Sequence, residues 1–162
     1  MNAKQTITPC LWFEDNALEA AEFYTSVFPD SSIVTVQRSP VDTPGPKAGA
    51  VLIVHFRLAG QDFQALNGGP HDKFNDAISL SVSCEDQKEV DRLWSALTAG
   101  GGKPVQCGWL KDKYGLSWQI VPKRLPALLA DPDPEKGKRV MQAMLKMVKI
   151  DVAALEAAAN NR

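Results

Sequence analysis

Short apolar runs of strand length alternate along the chain with segments whose apolar residues recur every three or four positions. The run from Ile7 to Phe13 precedes such a segment at Ala17 to Phe28, and the run from Ile78 to Cys84 precedes another at Val90 to Leu97. Spacings of three and four place apolar side chains on one face of an α-helix. The pattern therefore predicts a strand followed by an amphipathic helix at two places in the chain.

The two strand–helix pairs belong to an internal repeat. Thr8 and Ser79 occupy matching places in the two runs, 71 positions apart, and each run is followed by Glu-Asp. Further on, Gly60–Gln64 and Gly115–Gln119 share the pattern Gly-x-x-aromatic-Gln, 55 positions apart. The first copy therefore carries about sixteen extra residues. We place them in a long Pro- and Gly-rich loop from Ser39 to Gly49.

Each copy contains three further predicted strands. They are Ser32–Gln37, Val51–Leu58 and the strand of Gly60–Gln64 in the first copy, and Lys103–Cys107, Trp109–Lys113 and the strand of Gly115–Gln119 in the second. We therefore predict an α+β fold of two tandem βαβββ modules, at about 5–67 and 76–122, joined by a linker at 68–75. Residues 1–162 are interpreted as a single domain that ends in a C-terminal helical extension, 123–162.

Polar residues at the helix starts predict how the helices begin. Asn16 and Glu19 stand three apart before the first helix, and Asp86 and Glu89 before the second, as in a capping pair. Gly100 is predicted to end the second helix.

The extension shows a helical pattern of its own. Asp133-Pro134-Glu135 is typical of a helix start, and 151–159 predicts another short helix. Because the two modules are complete at Pro122, the apolar stripe of the first of these helices needs another surface to bury it. We therefore predict a homodimer with this helix at or near the subunit contact. The stripe consists of Val140, Met141, Met144, Leu145 and Val148.

Composition argues against some classes of binding partner. Apolar residues make up 44% and charged residues 23%, as in ordinary globular proteins. A net charge of −1 offers no basic field for nucleic acid or an anionic membrane. No apolar run approaches the roughly 20 residues of a membrane span, and no signal segment is visible. We interpret Cys10, Cys84 and Cys107 as reduced packing residues, so we expect a cytoplasmic protein.

The two modules, with a Glu-Asp pair before each helix, resemble the vicinal oxygen chelate superfamily, which includes glyoxalase I, bleomycin-resistance proteins and extradiol dioxygenases. The resemblance is closest to PhnB-like proteins, often labelled 3-demethylubiquinone 3-methyltransferase-like. It rests on residues 7–13, 23–24, 27–29, 77–82, 112–122 and 149–151, and covers nearly the whole chain, from about 7 to 157. It implies a cup, with a curved four-stranded sheet from each module, helices outside and the ligand inside.

The resemblance also implies where a divalent metal would be held. Enzymes of the superfamily use four side chains, usually His on the first strand and Glu on the last strand of each module. Carried over to this chain, these positions are Thr8, Gln64, Ser79 and Gln119, and the internal repeat pairs the same positions. Neutral hydroxyls and amides are poor ligands for zinc, nickel or ferrous iron. We therefore expect no metal and no cofactor.

Period-two alternation predicts which strand residues face the cup. It directs Ile7, Leu11 and Phe56 toward the helices. Hydroxyls, amides, an indole and a His–Arg pair on the other face suit hydrogen bonding and stacking on a small organic molecule. The predicted ligand-binding residues are Thr8, Cys10, Trp12, His55, Arg57, Gln64, Ser79, Ser81 and Gln119.

Three function classes remain open from the sequence. The first is a metal-free protein that binds a small organic ligand, as bleomycin-resistance proteins do. The second is an enzyme without metal, of isomerase or lyase type, with His55 as candidate general acid/base. The third is a regulatory or accessory protein. The family label also implies a methyltransferase, although the Gly-rich strand-to-helix turn of a typical adenosylmethionine site is absent from the sequence.

Overall fold

The computed structural model describes residues 5–161, and the chain forms two compact units. Unit 1 ends at Phe74 and unit 2 begins at Asn75. Each unit contains a four-stranded mixed sheet, and the fold is α+β as predicted.

Unit 1 follows the predicted order of strand, helix and three strands. Its elements are β1 (Cys10–Phe13), α1 (Ala17–Val27), β2 (Ser32–Arg38), β3 (Val51–Leu58) and β4 (Gln61–Asn67). The sheet order is β1-β4-β3-β2, with β1 parallel to β4 and the other pairs antiparallel. The predicted long loop lies between β2 and β3.

Unit 2 repeats this topology and adds the extension. Its sheet order is β5-β8-β7-β6, again with only the first pair parallel. The elements are β5 (Leu80–Cys84), α2 (Gln87–Thr98), a 3-10 turn (Ala99–Gly101), β6 (Lys103–Pro104), β7 (Trp109–Lys111) and β8 (Ser117–Pro122).

Strand register confirms the internal repeat. Gln64 on β4 lies opposite Cys10 on β1, and Gln119 on β8 lies opposite Ser81 on β5. These pairs are related by the offsets of 71 and 55 positions read from the sequence. Thr8 and Ser79 therefore hold equivalent places, each two residues before the partner of the glutamine.

The cores lie between each sheet and its helix. Alternation along β3 buries Val54, Phe56 and Leu58, as predicted. The prediction for Ile7 was wrong, because this side chain is 85% exposed. The strand begins only at Cys10, so the period-two rule does not extend back to Ile7.

The two helices begin differently. Asp86 accepts a hydrogen bond from the backbone N–H of Glu89 at 2.9 Å, which confirms the predicted cap of α2. The predicted role of Asn16 was wrong, because its side chain makes no cap hydrogen bond. The N–H of Ala17 instead donates to the side-chain oxygen of Asn67, at the end of β4, at 2.8 Å. The cap of α1 is therefore supplied from a distant strand.

The strand β6 is shorter than predicted. Cys107 and Gly108 have φ values of +57° and +82°, which form a tight turn in which the N–H of Trp109 donates to the carbonyl of Gln106. Successive positive φ values end an extended strand. The strand cannot extend through Cys107, and it already ends at Pro104.

The extension forms three helices, α3 (Arg124–Leu129), α4 (Pro134–Met144) and α5 (Val152–Ala159). The sequence predicted α4 and α5 but not α3. Buried residues of all three helices, including Leu125, Val140 and Leu155, pack into one cluster with Val121 at the end of β8. Part of the predicted stripe of α4 is thus buried within unit 2 itself.

A polar contact fastens the extension to α2. The side-chain amide of Gln87 donates to the carbonyl of Ile150 at 3.0 Å and accepts from the N–H of Val152 at 2.8 Å. The N–H of Gly108 donates to the carbonyl of Val148 at 2.8 Å.

Within residues 5–161 there is no helix long and apolar enough to cross a membrane.

Candidate functional site

The face of the unit 1 sheet opposite α1 brings together several predicted ligand-binding residues. Gln64 lies between Cys10 on β1 and His55 on β3, and paired neighbours project from the same face of a sheet. A cavity of about 330 Å³ lies at this sheet, and its lining includes Thr8, His55 and Arg57. The structure therefore places these five residues in one region of unit 1.

An ion pair borders the cavity. The Nε of Arg57 donates to Oδ1 of Asp62 at 2.9 Å across the turn between β3 and β4. Asp62 is not among the residues predicted from the sequence. The signal was present, because two strands joined by a two-residue turn place Arg57 and Asp62 opposite each other.

Three polar side chains of this face are available to a ligand. The side chains of Thr8, His55 and Gln64 form no hydrogen bond with any residue among 5–161. All three residues are half-buried. A half-buried polar group without a protein partner is one that a ligand or water can satisfy.

Trp12 is held by its own unit. Its indole N–H donates to the carbonyl of Gly69 at 3.0 Å. Its ring lies against Gly68, where an added Cβ would come within 2.2 Å of the indole. The hydrogen-bonding group of Trp12 is thus engaged by the linker, and only ring surface remains for stacking.

The cysteines differ from one another in burial. The prediction of a packing role holds for Cys84, which is buried, but Cys10 is exposed and Cys107 is half-buried. Burial, together with the negative charge of Glu89, raises the pKa of Cys84 to about 11. Desolvation also raises the pKa of the Cys10 thiol, so neither thiol is activated as a nucleophile.

The corresponding face of unit 2 carries polar groups that bind one another. Nε2 of Gln119 donates to the hydroxyl of Ser79 at 2.9 Å. The hydroxyl of Ser117 donates to Asp76 at 2.7 Å, and Nζ of Lys111 lies 3.1 Å from the same carboxylate oxygen. These contacts place Ser79 and Gln119, two of the predicted residues, together and add a charged pair, Asp76 and Lys111, that was not predicted from the sequence.

The Asp76 carboxylate is stabilised in its ionised form. The hydrogen bond from Ser117 and then the contacts with Lys111 lower its pKa below the usual value. Ser81, opposite Gln119 on the same face, is exposed. No local sequence signal identifies Asp76, since its partner Ser117 is 41 positions away in the chain.

The four positions that the family resemblance assigns to metal ligands do not fit a transition metal. Thr8, Gln64, Ser79 and Gln119 offer two hydroxyls and two amides, without a carboxylate, imidazole or thiolate. In unit 2 the pair already satisfies itself, through the bond from Gln119 to Ser79. Across residues 5–161, no three His, Cys, Asp or Glu side chains come together as a metal-binding group.

Comparison with solved structures identifies the relatives of this fold. A PhnB protein from Bacillus cereus is 36% identical, with a TM-score of 0.65, over 73% of this chain and 99% of that chain. A glyoxalase-related enzyme from Fulvimarina pelagi, 18% identical over 76% of this chain and 91% of that one, has a TM-score of 0.50. The fosfomycin resistance protein FosX from Listeria monocytogenes also has a TM-score of 0.50, at 13% identity over 74% and 93% of the two chains.

The family comparison agrees with the structural one. No curated protein matches the chain. The family model described as 3-demethylubiquinone-9 3-methyltransferase matches residues 5–121, which include both sheets except the last residue of β8. The chain therefore belongs to the PhnB-like 3-demethylubiquinone-9 3-methyltransferase family.

Proposed function

We propose that this protein binds a small organic molecule on a polar sheet face and does so without a transition metal. The proposal rests on the chemical type of the four side chains at the positions where enzymes of the superfamily hold a metal. Hydroxyls and amides bind organic ligands by hydrogen bonds, whereas they compete poorly with water for a dication. The bond from Gln119 to Ser79 further supports it, because it satisfies these groups without an ion.

The cavity of unit 1 supplies the chemistry that such a ligand needs. Thr8 lines it with a hydroxyl, Gln64 lies next to His55 on the same sheet face, and the exposed side chain of Val34 contributes apolar surface. Ligand sites of proteins combine apolar walls with a few polar groups in this way. The volume of about 330 Å³ is at the lower end of the usual range, so we expect a small ligand.

Native mass spectrometry and elemental analysis test this proposal on protein purified without added metal. We expect an organic adduct, or uptake of one from a metabolite extract, and far less than one transition metal ion per chain. About one zinc, nickel or iron per chain that is lost in a Gln64→Ala/Gln119→Ala double variant would contradict the proposal. A Gln61→Ala/Gln106→Ala variant, which removes two amides outside the four metal positions, is the matched control.

A second candidate function is a metal-free enzyme that uses His55. His55 lines the cavity, and its side chain has no hydrogen-bond partner among residues 5–161, which favours this function. An imidazole in such a place can exchange a proton with a bound molecule. If so, His55→Gln abolishes turnover of the identified ligand while binding persists. Equal turnover in the variant excludes this role.

We also propose a homodimer, in which fewer apolar residues are available for the subunit contact than the sequence predicted. Val140 is buried in unit 2 and Met144 packs against the same cluster, which leaves Met141, Leu145 and Val148 exposed. Only Met141 lies within α4, and Leu145 and Val148 follow its end. Burying such a side chain stabilises by about 1.5–3 kcal/mol, so a second copy that covers these three residues would stabilise the pair.

Sedimentation equilibrium at micromolar concentration tests the dimer. We expect the mass of two chains for the wild type and of one chain for Leu145→Asp. Val41→Asp, an equally exposed apolar position in the long loop of unit 1, should leave the dimer intact. A wild-type monomer contradicts the proposal. The cytoplasmic location expected from the sequence stays a prediction.

A further inference from the structure

The two sheet faces carry equivalent positions that can be compared directly. Gln64 in unit 1 and Gln119 in unit 2 each lie between the first and third strands of their sheets. Arg57 and Lys111 hold matching places, each two residues beyond the third-strand partner of that glutamine. Both faces thus present a central amide and a cation in the same register.

In unit 2 the chain segment before β5 occupies these groups. Ser79 accepts the bond from Gln119, and Asp76 accepts from Ser117 and pairs with Lys111. Asp76 and Ser79 both come from the few residues that precede the strand. The face of unit 2 therefore satisfies its own cation and its own amide.

In unit 1 the equivalent segment binds elsewhere. Gln5, which corresponds to Asp76 by the offset of 71, has no charge to offer Arg57. Its side-chain amide instead bonds backbone groups, donating to the carbonyls of Ile7 and Asp62 and accepting from the N–H of Asp62. The Thr8 and Gln64 side chains have no hydrogen-bond partner among residues 5–161.

The guanidinium of Arg57 keeps part of its donor capacity. Only Nε donates to Asp62, and the two terminal amino groups have no hydrogen-bond partner within the described part of the chain. The side chain is 48% exposed, which leaves these groups accessible. A guanidinium presents paired donors whose geometry matches a carboxylate or a phosphonate.

We propose that unit 1, and not unit 2, holds the ligand, and that the ligand carries an oxyanion, either a carboxylate or a phosphonate, bound by the terminal amino groups of Arg57. This inference rests on the proposed function of small-molecule binding. The Thr8 hydroxyl supplies a further donor, and Val34, which is 55% exposed, contacts the apolar body of the ligand. The carboxylate of Asp62 repels the oxyanion of the ligand. Arg57 therefore binds the ligand more weakly than an arginine without an acidic neighbour would.

Titrations followed by amide NMR shifts test the inference with three probes that share one ring: phenylacetate, benzylphosphonate and the neutral phenylacetamide. We expect both anions to shift residues of β3 and β4, and the more tightly bound of the two identifies the oxyanion class. Arg57→Gln should lose at least about tenfold in affinity for the anions, since charge-assisted hydrogen bonds are lost. Lys111→Gln, the matched change in unit 2, should alter affinity less than about twofold.

Two further variants separate charge from folding. Arg57→Lys keeps the cation but not the paired donors and should give an intermediate loss. Asp62→Asn should strengthen anion binding severalfold and leave binding of the amide unchanged, because it removes a like charge. Thermal melts check that each variant is folded.

Three results would overturn the inference. If phenylacetamide binds as tightly as phenylacetate, the ligand class is wrong while the proposed small-molecule binding stands. If Lys111→Gln loses as much affinity as Arg57→Gln, the site is not confined to unit 1. If neither anion shifts any resonance at about 10 mM, affinity is too weak for a specific site and the inference fails. The proposed function is judged separately by the mass-spectrometric experiment.

Discussion

Units 1 and 2 share one topology and one strand register, yet they close the turn between their third and fourth strands differently. In unit 1 the turn consists of Ala59 and Gly60, both with positive φ, +47° and +79°. In unit 2 it runs from Asp112 to Leu116 and surrounds a buried carboxylate. The same β-hairpin connection is thus a two-residue turn in one unit and a longer turn built around a carboxylate in the other.

The buried carboxylate of Asp112 organises the turn of unit 2. Its Oδ1 accepts from the N–H groups of Tyr114 and Leu116, at 2.9 and 3.1 Å, and its Oδ2 accepts from the indole of Trp118 at 2.9 Å. A buried charge is tolerated when its acceptor sites are filled in this way. Unit 1 has no counterpart, since the corresponding position is the apolar Leu58.

Helix starts show a second difference between the units. Asp86 caps α2 from the adjacent position in the chain, whereas Asn67 caps α1 from 50 positions away and also donates to the carbonyl of Val51. One helix start is therefore specified locally, and the other depends on the sheet being formed. Equal topology does not imply equal sources of stability.

The largest effect is expected at Asp112. Asp112→Ala leaves three N–H donors without their acceptor, and we expect a loss of about 3 kcal/mol or more in the free energy of unfolding. Urea denaturation measures it. Asp112→Asn keeps one acceptor oxygen but turns an amide toward a donor, so its loss should be smaller. A loss below about 1 kcal/mol for Asp112→Ala would show that water replaces the carboxylate.

The next effect concerns the two helix starts. Asn67→Ala removes the cap of α1 and a second hydrogen bond, and should cost about 2 kcal/mol. Asn16→Ala, at the position next to the same helix, should cost less than about 0.5 kcal/mol because its side chain makes no cap hydrogen bond. Equal losses in chemical denaturation of the two variants would contradict the assignment of the cap.

A smaller effect of opposite sign is expected in the turn of unit 1. Ala59 has a φ of +47°, which is unfavourable for a residue with a Cβ. Ala59→Gly should therefore stabilise the protein by about 0.5–1 kcal/mol, seen as a higher midpoint of thermal unfolding. Ala96→Gly, within α2, should destabilise by about 1 kcal/mol. A destabilising Ala59→Gly would show that chain entropy outweighs the strain.

The smallest effect concerns the charged pair of unit 2. Because the pKa of Asp76 is lowered in the folded protein, its ionised form stabilises folding at pH values above the ordinary pKa of about 3.9. This contribution is lost as the pH falls through the folded-state pKa. Ser117→Ala should raise the pKa of Asp76, as followed by NMR titration, and Ser81→Ala should not. If the pKa of Asp76 is unchanged in Ser117→Ala, the contacts with Lys111 alone account for the lowered pKa.

Local pattern alone determined much of this protein. Alternation along β3 placed Phe56 in the core and His55 and Arg57 on the opposite face, and the structure confirms it. The internal repeat predicted that Thr8 corresponds to Ser79 and Gln64 to Gln119, because strand register follows from sequence spacing once the topology is known. The cap at Asp86 was also predictable, since all its atoms lie within one helical turn.

Only the tertiary structure decided which polar groups are satisfied and which are free. The partners of Asp76, Asn67 and Trp12 lie 41 to 57 positions away in the chain, so no local spacing could identify them. Nor could the sequence show that the extension covers part of its own apolar stripe, because this required a helix, α3, that it did not predict. Hydrogen bonds and packing act over a few ångströms in space, and folding sets those distances independently of separation along the chain.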